Sequence, residues 1–264
     1  MPLIDTHAHL NFLAYDEDRE QVIGRVKELG MKVIIPSSQL DTSKQAVDLA
    51  GKHNFLFAAI GQHPIHVFDE EFKPEAYQQL IDTGLVKAIG ETGLDYFHIK
   101  DKTKPVAEVK AAQEKLFRQQ IELALVNNLP LIIHGRFSEA EATAYEDIFA
   151  ILQAMKVQQA VIHCFTGSLS NAQPFIQAGY YLGFTGIITF DKTGVLAAVI
   201  KNTPLEQILI ETDAPYLSPV PYRGKRNEPV YVLEVAKKIA EIKQIPLDKV
   251  IAQTGSSAEK LFKL

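Results

Sequence analysis

The chain has 264 residues, 47% of them hydrophobic and 22% charged, with a formal net charge of -5. That composition excludes a disordered chain, and no apolar run approaches the ~20 residues of a membrane-spanning helix. An acidic protein is not drawn as a whole to a polyanion, so any nucleic-acid contact must come from a local group of cations.

Apolar runs recur at Leu3-Ile4, Val33 to Ile35, Leu56 to Ile60, Val86 to Ile89, Leu129 to Ile133, Ala160 to Ile162, Tyr180 to Phe184 and Ile208 to Ile210. Short, near-continuous apolar runs are what strands buried on both faces show. Amphipathic stretches lie between them. Glu17 to Leu29 places Val22, Val26 and Leu29 at helical spacing before the stop residue Gly30, and Gln113 to Val126 repeats the pattern with Leu116, Phe117, Ile121, Leu123 and Ala124. Asp95 to Val106, with three lysines, reads as a long loop. Pro229 to Lys243 and Leu247 to Phe262 both read as helices, so two helices follow the last strand. Strand then helix, eight times over without a linker or repeat, predicts a single-domain α/β protein, a (β/α)8 TIM barrel spanning residues 1–264.

A barrel of this type carries its active site at the C-terminal ends of its strands. The chemistry-bearing residues fall there. His7 and His9 follow the first strand, His63 the third, Glu91 the fourth, His134 the fifth, His163 the sixth and Asp213 the eighth. A bare His-x-His pair is commonly a core or surface accident, but on a strand it puts both rings on one face, able to grip one ion. Four imidazoles and two carboxylates suit divalent zinc, manganese or magnesium, and six groups can hold two ions with positions left for water and substrate. Glu91 is placed to bridge two cations, and a water shared between them would lose a proton near neutral pH. His53, beyond a helix, and His98, in the lysine-bearing loop, read as solvent-facing.

Other chemistries fare worse. Adjacent strand residues point to opposite faces, which separates Cys164 from His163 and makes it a small buried thiol. Gly183-Phe184-Thr185-Gly186 lacks the spacing of a dinucleotide or phosphate loop. Arg223, Lys225 and Arg226 form a local basic cluster, by charge alone a solvated loop. With a single cysteine and no basic, apolar leader at the N-terminus, the expected address is the cytoplasm, with no membrane association and no obligate protein partner.

Six motifs occur in order: Asp5-Thr6-His7-Ala8-His9, Gly61-Gln62-His63-Pro64, Gly90 to Tyr96, Ile133-His134-Gly135-Arg136, His163 to Gly167, and Glu211 to Tyr216, followed by Arg223 to Pro229. Together they resemble, from residue 3 to Phe262, the TatD family of metal-dependent deoxyribonucleases within the amidohydrolase-like barrels. The resemblance implies that His7, His9, Glu91 and Asp213 bind one metal, and that Glu91 bridges to a second held by His134 and His163. Asp213 would also accept the proton of the attacking water. His63 and Arg136 would lie near a phosphate, with DNA as substrate and magnesium or manganese as the usual metal. Two departures stand out: Phe137-Ser138, where the family often has an acidic residue, and Thr254-Gly255-Ser256-Ser257, where it commonly shows Thr-x-x-Asn. A small-molecule amidohydrolase acting on an amide, ester or lactone is the alternative use of the same site. The Arg223/Lys225/Arg226 cluster, rimming the same mouth, favours DNA.

Overall fold

The computed structural model describes residues 2–98, 104–136 and 144–264. Eight parallel strands form one sheet in sequence order: β1 (Ile4–Asp5), β2 (Lys32–Ile35), β3 (Leu56–Ile60), β4 (Val86–Asp95), β5 (Leu131–Arg136), β6 (Ala160–Ile162), β7 (Tyr181–Phe184) and β8 (Ile208–Ile210). The seam between first and last strands is closed by the Thr6 amide donating to the Ile210 carbonyl at 3.1 Å and by a parallel bridge between Ala8 and Ala214. Helices α1 (Arg19–Glu28), α2 (Leu40–Lys52), α3 (Pro74–Ile81), α4 (Val106–Val126), α5 (Ala144–Ala154), α6 (Leu169–Gln177) and α7 (Val195–Asn202) alternate with the strands. After β8 come α8 (Val232–Lys243) and α9 (Leu247–Phe262). This is the (β/α)8 barrel that the apolar rhythm predicts.

The period of two along each strand explains why the strands are apolar on both faces. Val33 and Ile35 join the large core between sheet and helices, whereas Ile34 points inward with Ile4, Ala59, Ala88, Ile132, Val161 and Leu209. Ala258, Leu261 and Phe262 of α9 pack onto this inner cluster. The second helix after β8 thus plugs one end of the barrel, leaving the other for chemistry.

Three local features differ from the pattern-based expectation. Leu29 is 62% exposed, because α1 ends at Glu28 and Leu29 caps the helix instead of extending its buried face of Val22, Ile23 and Val26. Helix α4 starts at Val106, seven residues before the first strongly periodic position. Strand β4 runs past Ile89 to Asp95, so Glu91 lies inside it, with a register shift between Ile89 and Thr92. Gly93 makes that extension possible: at φ 128°, a Cβ there would sit 2.1 Å from the His134 carbonyl oxygen. Among the described residues no helix is long and apolar enough to cross a membrane.

Candidate metal centre

His9, Glu91, His134, His163 and Asp213 line one cavity of about 860 Å³ together with His63, Asp95, Arg136 and Tyr216, and the fully buried His7 lies directly behind them, 3.5 Å from Glu91. Strand β1 stops at Asp5, and the chain carrying both histidines continues along the seam, where the His9 amide donates to the Ala214 carbonyl and the Asp213 amide to the His7 carbonyl. That pairing sets the first histidines beside Asp213. His7 Nε2 lies 3.2 Å from His9 Nε2, 3.5 Å from Glu91 Oε2 and 3.7 Å from Asp213 Oδ1. His9 Nε2 lies 3.8 Å from Glu91 Oε2 and 3.4 Å from Asp213 Oδ1. Four donors bound at about 2.1 Å around a tetrahedral ion are ~3.4 Å apart, and His7, His9 and Asp213 are close enough together to share one divalent cation, with Glu91 Oε2 beside both histidines.

The other oxygen of Glu91 faces a second set. Oε1 is 2.8 Å from His134 Nδ1, 3.4 Å from His63 Nε2 and 3.9 Å from His163 Nε2. The far nitrogens of two of these rings meet carboxylates. His134 Nε2 is 2.9 Å from Asp95 Oδ2, and His163 Nδ1 is 2.9 Å from Glu211 Oε1, the latter off the line of the ring N–H. Carboxylates behind ligand histidines fix tautomer and ring orientation. Asp95 and Glu211 belong to the motifs Gly90 to Tyr96 and Glu211 to Tyr216, yet nothing in spacing alone separates a ligand from its support. Gly183 leaves room for Glu211, since a Cβ there would come within 2.6 Å of the carboxylate oxygens. Behind His7, buried Asp5 accepts from the amides of His7 and Thr212 and from the Thr212 hydroxyl at 2.6 Å, tying together the two chain segments that carry His7 and Asp213.

Protonation follows from these contacts. Burial pushes the Glu91 carboxyl up, but the His63 imidazole and hydrogen bonds from His134, His63 and His7 outweigh it and hold Glu91 well below the usual carboxylate range. Asp213 is likewise held low despite its burial, by His9 and then by the charges of His163 and His7. Burial would lower both His134 and His163. Asp95 and Glu91 nevertheless raise His134 to about 9, and Glu211 raises His163 to about 10. His63 goes the other way, to about 4, through burial and the neighbouring His134. Its Nδ1 accepts the Ile65 amide at 3.2 Å, which leaves the proton of the neutral ring on Nε2, facing Glu91.

Arg136 lines the cavity, its guanidinium 4.9 Å from the centre of the Phe97 ring. The basic cluster is placed differently from the expected rim. Arg226 is held by Asp18 through two hydrogen bonds of 2.8 and 2.6 Å and lies over Tyr15, because that carboxylate offers a bidentate partner. Arg223 sits on the Phe190 ring at 3.7 Å. None of Arg223, Lys225 and Arg226 lines the cavity.

Cys164 also departs from expectation. Strand β6 ends at Ile162, so strict alternation no longer applies, and at φ 46° the thiol lines the same cavity as His163. Burial raises its pKa well above that of a free thiol, leaving it protonated and unsuited to attack. His98 is exposed as expected but lines the cavity and pairs with Asp95 at 2.9 Å. His53 is largely covered, its side chain 22% exposed and 3.7 Å from Glu20. Phe137 and Ser138 lie outside the described residues. Ser257 donates to the Glu206 carbonyl at 2.8 Å, so hydrogen bonding persists at the departure in α9.

The family profile described as TatD related DNase matches residues 4–263. The chain belongs to the TatD family. This TatD family member is 39% identical over 266 residues to an uncharacterized metal-dependent hydrolase of Bacillus subtilis (strain 168), YabD, covering 99% of each chain. It is 32% identical to YcfH, an uncharacterized metal-dependent hydrolase of Escherichia coli (strain K12), covering 99% of this chain and 96% of the other. Among solved structures, YjjV of Escherichia coli K12, a TatD homologue, superposes with a TM-score of 0.88 at 30% identity, covering 99% and 98% of the two chains. The family is one of metal-dependent hydrolases, and this chain's clustered histidines and carboxylates supply the donors that such chemistry requires.

Proposed function

We propose that this TatD family member hydrolyses phosphodiester bonds of DNA with two divalent cations, magnesium, manganese or zinc. The observation that carries this reading is the split of Glu91: Oε2 faces His7 and His9, while Oε1 faces His134, His63 and His163. A carboxylate serving two donor sets is what a bridged pair of ions needs. The ions, when bound, supply Lewis acidity toward a phosphoryl oxygen and acidify water.

The remaining work falls to the chain. Asp213, ionised and 16% exposed toward the cavity, accepts the proton released as water oxygen bonds to phosphorus. Arg136 offers a planar fork to the non-bridging oxygens. The Nε2–H of neutral His63 donates to the same phosphate without adding a charge that would repel the ions. As the P–O bond breaks, the leaving sugar oxygen takes a proton from solvent at the open mouth.

One observation favours the alternative of a small amide, ester or lactone: Arg226, the cation expected to grip a DNA backbone, is paired with Asp18. A metal-supplemented screen of single-stranded DNA, duplex DNA, RNA and a panel of amides and lactones decides between them. DNA cleavage is expected. Turnover confined to carbonyl substrates would overturn the nuclease reading.

A further inference from the structure

Among the described residues the lining of the cavity carries one arginine, Arg136, and no lysine, and exposed aromatic rings lie at or beside it. Arg226 is taken by Asp18, Arg223 lies on Phe190, and the chain is net acidic. Yet Phe97 is 56% and Tyr216 55% exposed. Exposed apolar side chains scattered singly need no explanation. These two are not scattered, because each follows a carboxylate of the site by two or three residues, and each backbone amide is tied to that carboxylate's residue.

The Tyr216 amide donates to the Asp213 carbonyl at 2.9 Å, and its own carbonyl accepts from the buried Asn227 at 2.6 Å. The Phe97 amide donates to Asp95 Oδ1 at 2.9 Å, and Asp95 also supports His134. Tyr216 lines the cavity on the Asp213 side; Phe97 packs against Arg136, which lines it on the other. The backbone that carries each ring is therefore tied to one half of the donor set.

We propose that Phe97 and Tyr216 are base-stacking platforms, one for each nucleoside flanking the phosphodiester held between Asp213 and Arg136. This inference rests on the nuclease reading. Rings accept any base face, and they need no phosphate contacts beyond the reacting one, which matches a described lining whose one arginine is Arg136. Each base must leave its neighbours in the stack to reach a ring.

The test uses the metal-loaded enzyme with short single-stranded oligonucleotides in which a base-free sugar spacer replaces each nucleoside in turn. Tyr216→Ala and Phe97→Ala should each lower kcat/KM by roughly 5- to 100-fold, the range of one base–aromatic stack. Each loss should vanish when the spacer occupies one particular position beside the cut bond. Tyr216→Phe, which keeps the ring, should restore the rate, and elemental analysis should find unchanged metal content in every variant. Unchanged kcat/KM in both alanine variants, or a loss indifferent to the spacer, would overturn the proposal while DNA cleavage itself stood. No cleavage of any nucleic acid by the wild-type protein would overturn the nuclease reading first.

Discussion

Glu91 Oε1 lies 2.8 Å from His134 Nδ1, and the other nitrogen of that imidazole lies 2.9 Å from Asp95 Oδ2. Both carboxylates come from β4, separated by a stretch whose register shifts against β5. One ring on β5 is thereby clamped between two residues of its neighbour, leaving it a single orientation. His163, one residue beyond β6, also has a carboxylate behind it, Glu211 Oε1 at 2.9 Å from Nδ1. These supports bear directly on how tightly the centre would hold a metal ion.

Asp95→Asn and Glu211→Gln keep the size of the side chain but remove the charge behind His134 and His163. Each should weaken metal affinity by the ~10–100-fold characteristic of lost supporting carboxylates. Competition with a chelator measures it, with circular dichroism reporting that the barrel persists. Wild-type affinity in both variants would show that the rings are oriented by packing alone.

On the proposed mechanism, Asp213→Asn retains an oxygen able to bind metal and loses the base. Turnover should fall by ~10²-fold or more. Near-normal turnover in single-turnover assays would remove Asp213 from proton transfer.

The metal-free protein should respond to pH through His134 and His163. Their folded values, about 9 and about 10, lie above the unfolded value, so their stabilisation is complete below about pH 6.5 and is lost as pH rises through 9–10. Metal binding needs the same rings deprotonated and so strengthens over that interval. Thermal melts of chelator-treated protein should show Tm falling from pH 6.5 toward pH 10, while the gain in Tm on adding metal grows. A flat metal-free profile would mean that neither ring carries a proton in the fold.

Arg136 and Arg226 should separate cleanly. Arg136→Ala is expected to lower kcat/KM for a small activated phosphodiester as well as for DNA, because it lines the cavity. Arg226→Ala should instead leave the salt dependence of DNA cleavage unchanged and lower Tm, since it breaks a bidentate pair with Asp18. A flattened salt dependence in Arg226→Ala would return that residue to the substrate.

Phe262→Ala removes a fully buried ring from the plug beneath the barrel. A loss of ~3–5 kcal/mol in denaturant unfolding is expected. Metal stoichiometry should not change, because the cavity opens at the opposite end. A cost below ~1 kcal/mol would mean that α9 does not seal the barrel.

The barrel, and the candidate donors gathered at one end of it, were legible in the sequence because both obey short-range rules. Strands buried on two faces must be continuously apolar, and side chains that act at strand ends must follow those runs within a few residues; His134 and His163 come directly after theirs, His7 and Asp213 three residues on and His9 five. Glu91 follows its run as well, although β4 continues beyond it. The division of labour among the polar groups was decided only by tertiary contact. Asp95 and Glu211 carry the same chemistry as Asp213, and only their positions behind histidines make them supports. Arg226 reads as a DNA contact until Asp18, 208 residues away in the chain, claims its guanidinium. Alternation separates Cys164 from His163 on paper, but the strand ends one residue before His163, and the turn sends both side chains into one cavity. Periodicity is a property of the local backbone, whereas pairing between distant charges depends on where closure of the barrel brings them.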